Sequence, residues 1–211
     1  AEYGVIYLTS PIFNLENANI EPARSRDGDN NFTVPLLGLD PATTYYCFTY
    51  VYLTDSKNFT ISEQSIKIKT SPLSDIINPE SFSKNGTDVT LTGRLFIPET
   101  LPEPEDYGFL VFGEDGSEMR IKMPSYDKSN CTIQATVKNL TIDVKYTFGV
   151  YVKFPFREYN SENTIEFKLY SIEDIHFDRN CILLYPGESG IRLEPVIKPD
   201  DAPDKRLRWA S

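Results

Sequence analysis

The chain has 211 residues and a formal net charge of −10, from 31 acidic and 21 basic side chains, with a single His. A phosphate backbone or an anionic bilayer recruits clustered Lys and Arg, so this balance excludes nucleic acid as the expected partner. The sequence has no apolar run of the ~18 residues a spanning helix needs, so direct membrane insertion is not expected, and 13 Phe, 13 Tyr and one Trp are bulk enough for real cores.

In chain order, short runs of Val, Ile, Thr, Tyr and Phe recur between Pro, Gly, Asn and Asp, and helix-period stretches are scarce. Residues 45–53, 66–70, 88–97, 107–113, 146–153 and 164–170 read as strands. Counting 88–97, the stretch from Asp75 to Pro98 is expected to supply two strands ahead of Tyr107. Such spacing predicts an all-β chain of antiparallel sandwiches. Alternation puts Tyr45, Cys47, Thr49 and Val51 on one face of their strand, and Tyr146, Phe148, Val150 and Val152 on one face of theirs. The second set is uniformly apolar, so that face is the expected core. The opposite face of the earlier strand then carries Tyr46, Phe48, Tyr50 and Tyr52 outward.

The chain repeats itself. Phe32-Thr33-Val34 through Leu39 and Tyr45 lines up with Ile133-Gln134-Ala135 through Leu140 and Tyr146 at a constant offset of 101 residues. Glu2-Tyr3-Gly4-Val5 matches Asp106-Tyr107-Gly108-Phe109 at 104, and Ile66 and Ile68 match Ile165 and Phe167 at 99. Drift of this size is what differing loop lengths between two copies of one module produce. Each copy keeps Leu, five residues, then Tyr at the head of a strand. A Tyr so placed buries its ring and returns its hydroxyl to upstream backbone.

Tyr3-Gly4-Val5, Leu39 through Tyr45, Tyr107-Gly108-Phe109 and Leu140 through Tyr146 carry a resemblance to fibronectin type III domains, of the divergent sort found in surface proteins of Bacteroidetes. It covers about residues 1–170. Beyond Leu169, the run Cys181-Ile182-Leu183-Leu184, the turn at Gly187-Glu188, and Leu193, Val196, Pro199, Ala202 and Trp209 resemble the opening half of a bacterial Ig-like domain of group 2. The resemblance implies tandem immunoglobulin-like or fibronectin type III-like β-sandwiches in three modules. Residues 1–70 form a module lacking its first two strands, 71–170 a complete one, and 171–211 the N-terminal part of an Ig-like one. The first and last are thus expected to be incomplete. Ala1 opens the chain without a leader pattern, which reads as an excerpt or a processed product. Missing strands leave unpaired edges, so strand exchange with another chain is the sharper expectation.

No catalytic constellation emerges, and no cofactor or metal is expected. His176 reads as a surface side chain. Glu99, Glu103, Glu105 and Asp106, interleaved with Pro98, Pro102 and Pro104, read as a stiff solvated loop rather than a glycosidase acid pair. Asp27, Gly28 and Asp29 hint at Ca²⁺ but lack the later Gly and the bidentate Glu of such a loop. Cys47, Cys131 and Cys181 contain no CxxC and read as small buried apolar residues. Two aromatic features remain as candidate ligand-binding residues: the row Tyr46, Phe48, Tyr50 and Tyr52, and the loop holding Phe154, Phe156, Arg157 and Tyr159. Their bland alternatives are cover by a neighbouring module or a missing strand, and packing between modules.

The expectation is therefore a non-catalytic modular segment of a bacterial cell-surface or secreted protein. It would act as a spacer and contact a protein or glycan outside the cell. Two alternatives are accessory modules of a secreted glycan-degrading enzyme and a strand-exchanging fimbrial-type subunit.

Overall fold

The computed structural model describes residues 1–29, 31–178, 186–187, 194–200, 202 and 205, and it is all-β apart from two single-turn 3₁₀ helices among those residues. The chain divides into two compact units, Ala1–Asp75 and Ile76–Ser211.

The first unit is one antiparallel sheet. Its strands are β1 (Glu2–Leu8), β2 (Asn19–Pro22), β3 (Thr44–Leu53), β4 (Asn58–Ile61) and β5 (Ile66–Lys69), in the order β2-β1-β3-β4, with β5 also pairing β3. β4 takes the Tyr50–Leu53 end of β3 and β5 takes the Thr44–Cys47 end, so the last strand of the sheet is split.

The second unit contains the same sheet again. β8 (Asp106–Gly113), β9 (Glu118–Lys122), β11 (Lys145–Lys153), β12 (Glu158–Asn160) and β13 (Ile165–Lys168) are ordered β12-β11-β8-β9, with β13 also on β11. Against it lies a three-stranded sheet, β10-β7-β6, from β6 (Ile77–Asn85), β7 (Asp88–Leu95) and β10 (Thr132–Val137). The expected pair of strands ahead of Tyr107 is therefore present as β6 and β7. The inner faces close a core of Ile77, Val89, Leu91, Leu95, Phe109, Val111, Ile133, Phe148, Val150 and Val152, all at or near zero exposure. β7 passes tightly over the facing sheet: a Cβ on Gly93 would lie 2.6 Å from Val150 and 3.0 Å from Phe109. A short pair, β14 (Asp174–His176) with β15 (Val196–Lys198), follows. Cys181, Glu188, Leu193 and Trp209, which carry much of the Ig-like resemblance, lie outside the described residues.

Both corners place their Tyr alike. The Tyr45 hydroxyl accepts the Asp40 N–H at 2.9 Å, and the Tyr146 hydroxyl accepts the Thr141 N–H at 3.1 Å. Backbone strain recurs in step, with positive φ at Gly38 and Ala42 in one corner and at Asn139 and Asp143 in the other. Gly4 and Gly108 mark a second shared feature, the close approach of β2 to β1 and of β9 to β8. A Cβ would stand 2.3 Å from the Glu21 carbonyl oxygen in the first case and 1.9 Å from that of Ile121 in the second.

Candidate functional site

In the second unit, β7 and β11 end, and β8 and β10 begin, at one end of the sandwich, as the Lys153↔Asp106 and Thr132↔Arg94 pairings require. Three connections therefore meet there: 96–105, 123–131 and 154–157. They are tied rather than merely adjacent. The Glu105 N–H donates to the Lys153 carbonyl at 2.8 Å, with a 3.2 Å ion pair between the two side chains. Lys128 Nζ donates to Glu103 Oε1 at 2.6 Å. Exposed ion pairs of this kind contribute little, so the backbone bond from Glu105 to Lys153 is the firmer tie.

Between these connections lie two open grooves of about 370 and 420 Å³, sharing Glu103, Tyr126 and Lys128. Tyr107 and Tyr126 meet edge to face with ring centroids 5.4 Å apart, and Lys128 sits over the Tyr126 ring. Partial burial raises both phenols above their ordinary 10.0; Glu103 raises both further, and Lys128 opposes the rise in each. The Lys128 ammonium is held charged by its hydrogen bond to Glu103. At neutral pH the grooves thus offer phenol donors, a carboxylate acceptor, an ammonium donor and aromatic surface. The expectation of a solvated acidic loop at 99–106 did not identify Tyr107 and Tyr126 as a pair, because they lie far apart in sequence and meet only through the 123–131 connection.

The aromatic loop is built on the β11–β12 turn, closed by the Phe154 N–H donating to the Arg157 carbonyl at 2.8 Å. Phe154 is buried and acts as its anchor. Phe156 stacks on Phe154 at 5.4 Å and stays half-exposed, and the exposed Arg157 lies 5.0 Å over the half-exposed Tyr159. Of the four predicted residues, three therefore reach the surface and one is core.

The other predicted row requires correction. Tyr46, Phe48, Tyr50 and Tyr52 do share a face, but that face points inward. Phe48 and Tyr50 are buried with Ile6 and Leu8, and Tyr46 and Tyr52 pack against them. The physical reason is local cover: the β1–β2 connection brings Phe13 edge-on to Phe48 at 5.3 Å, and β4 stacks Phe59 on Tyr50 at 5.5 Å. The face expected to be the core buries Tyr45 at the corner but is otherwise half-open, with Val51 at 43% and Ile66 at 71% exposure.

Tyr50 and its counterpart Tyr151 each donate to an acid at the head of the neighbouring strand, Glu2 at 2.9 Å and Asp106 at 3.1 Å. Burial and the Glu2 carboxylate push Tyr50 up to about 12. Around Tyr151, Arg120 lies 3.8 Å over the ring and makes paired hydrogen bonds to Glu158 at 3.1 and 3.0 Å, which keep it charged. Every member of this network is matched, so it braces the sheet.

The remaining candidates do structural work. His176 Nδ1 lies 2.8 Å from Asp174, on a half-exposed surface. Asp27 spends its carboxylate on the backbone and side-chain amides of Asn31 and, less, on the Asp29 amide, which hold it below the usual carboxylate range. Among the described residues no group of three or more His, Cys, Asp or Glu converges as metal ligands would. Cys47 and Cys131 are free thiols and half-buried rather than buried, Cys131 because it sits in a turn at positive φ. Burial raises the Cys47 thiol. No helix among the described residues is long and apolar enough to cross a membrane.

A further repeat signal escaped the sequence reading. Ser62-Glu63-Gln64-Ser65-Ile66 and Ser161-Glu162-Asn163-Thr164-Ile165 are the same hook. Each Ser hydroxyl accepts a β3 or β11 amide (Thr49 at 3.2 Å, Val150 at 3.0 Å) and donates to the carbonyl two residues on. No protein-family model matches this chain, and no curated protein is significantly similar to it.

Proposed function

We propose that the chain is a non-catalytic, extracellular segment of a bacterial surface or secreted protein. In this reading the two repeats are fibronectin type III-like modules, and the loop end of the second unit makes contact with a glycan or a protein surface. The observation that supports it most is the tied end of that unit, where Tyr107, Tyr126, Phe156 and Tyr159 stay partly accessible on connections cross-linked by Glu105–Lys153 and Glu103–Lys128. Rings held on a rigid scaffold lose little freedom on binding. A pyranose ring presents an apolar C–H face to such rings and hydroxyls to the Lys128 and Glu103 heads. The acidic surface and the short linkers Thr70-Ser71-Pro72 and Tyr170-Ser171 suit modules strung in series as a spacer.

The test is an NMR titration of the full chain with a panel of neutral oligosaccharides. Shifts confined to 96–107, 123–131 and 154–159, abolished by Tyr126→Ala, are the expected result. Shifts elsewhere, or none with any sugar or surface protein of the source bacterium, would remove the loop end from consideration.

A further inference from the structure

The half-open face of the first unit has a template within the same chain. Tyr45 is buried at its corner end, whereas Val5, Tyr7, Cys47, Thr49, Val51 and Ile66 are half-buried or exposed. Through the register of the two sheets and the repeat offsets, these correspond to Phe109, Val111, Phe148, Val150, Val152 and Ile165. The first five of those counterparts are fully buried, and what buries them is the β6–β7 hairpin together with β10. The first unit has a counterpart of β10 in the segment 32–36, where Phe32, Val34 and Leu36 are half-buried and Thr33 and Pro35 exposed. Phe32 packs on Tyr3 at 5.4 Å, on the open face. This segment alternates as a strand does but pairs with no strand among the described residues.

The half-open face and the unpaired segment are what the second unit would show if β6 and β7 were removed. The chain's own β6–β7 hairpin is committed: Ile77, Val89, Leu91 and Leu95 are all fully buried in the second unit. We infer that the open face of the first unit is a docking surface for a partner β-hairpin with the β6–β7 pattern. One strand of that hairpin would pair with residues 32–36 as β7 pairs with β10, and its alternate apolar side chains would cover Val5, Cys47, Thr49 and Val51. Strand addition of this kind takes its affinity from main-chain hydrogen bonds and its specificity from the alternate side chains. The inference concerns the first unit only and stands apart from the loop-end reading of the second.

Cys47 lies in the middle of this face and reports on its cover. The experiment is thiol labelling of Cys47 in the full chain carrying Cys131→Ser and Cys181→Ser. Labelling is compared without and with residues 76–96 of this same chain attached ahead of Ala1 by a flexible Gly/Ser linker. A short flexible linker supplies an effective concentration in the millimolar range, so even a hairpin with a dissociation constant near 100 μM would slow labelling about tenfold. That protection should vanish with Val51→Asp, a substitution at an already exposed position, while the circular dichroism spectrum is unchanged. It should also vanish when the attached hairpin has its apolar and polar positions exchanged. Unchanged labelling in a folded fusion would overturn the inference. So would protection of Cys47 in the unfused monomer, or protection that appears only as the unfused chain dimerises, since a second copy would then be the cover.

Discussion

Ile6 and Leu110 occupy corresponding places in two sheets of identical strand order, yet Ile6 is fully buried and Leu110 is half-exposed. One residue along, the relation reverses: Val5 is half-exposed, whereas Phe109 is fully buried. The repeats thus keep one backbone plan while placing their main cores on opposite faces of it. In the second unit the β10-β7-β6 sheet covers one face, and Phe112 on the other is 44% exposed. In the first unit that second face is closed by Phe13, Phe59 and Ile61. A sheet with bulky side chains on both faces therefore takes as its core whichever face its neighbouring segments can reach.

The sharpest way to break this comparison is to cut the same place in both units. Phe148→Ala should cost about 3–5 kcal/mol in the second unit, whereas Cys47→Ala at the corresponding place should cost less than about 1 kcal/mol. Denaturant melts of the two variants check this, and equal losses would mean that the first face is as closed as the second. Next come the close approaches. Gly108→Ala and Gly4→Ala should each cost about 1–3 kcal/mol, because a methyl group would collide with a neighbouring carbonyl in both units. Similar losses there would confirm that the shared plan lies in the backbone.

The corner hydroxyls should be matched more closely still. Tyr45→Phe and Tyr146→Phe each leave one backbone N–H without its acceptor, and each should cost about 1–2 kcal/mol in the melt of its own unit. A difference above that range would show that one corner is held by something besides its Tyr. The pH dependence then separates the units. Tyr50 in the folded first unit sits near 12 against an unfolded value of 10.0, so its stabilising contribution is complete below pH 10 and is lost as pH rises toward 12. Alkaline unfolding followed by tyrosinate absorbance should show this loss, and Tyr50→Phe should flatten it. Smallest is Arg157→Ala, which should leave stability within about 0.5 kcal/mol while weakening any ligand of the loop end.

The repeat, the two corners and the β6–β7 pair were legible because each is written in local chemistry: a Leu-x5-Tyr spacing, a Tyr-Gly pair, a run of alternation. The facing of β3 was not. Cys47, Thr49 and Val51 are small and Tyr46, Phe48, Tyr50 and Tyr52 are large, and alternation says only that they oppose one another. Which set is buried depends on Phe13, brought over the sheet by a connection that carries no strand signal. The analogy with Phe148 and Val150 pointed the other way, since it silently assumed a covering hairpin. Phe156 and Arg157 were legible as a surface loop because Pro155 breaks the strand beside them, whereas Tyr159 belongs to the short strand β12. Tyr126 was not, because its role arises from Tyr107 across a long stretch of chain.

The serine hook has a consequence for behaviour at high concentration. By turning the chain between β4 and β5, and between β12 and β13, Ser62 and Ser161 break the outermost strand of each sheet into two short pieces. A long straight margin of free N–H and C=O groups would invite any like module nearby to zip onto it, as in fibre formation. A margin broken every few residues gives such a neighbour no register in which to continue. Units built this way can be crowded together without adhering through that margin, and the break in it is encoded by one hydroxyl per unit.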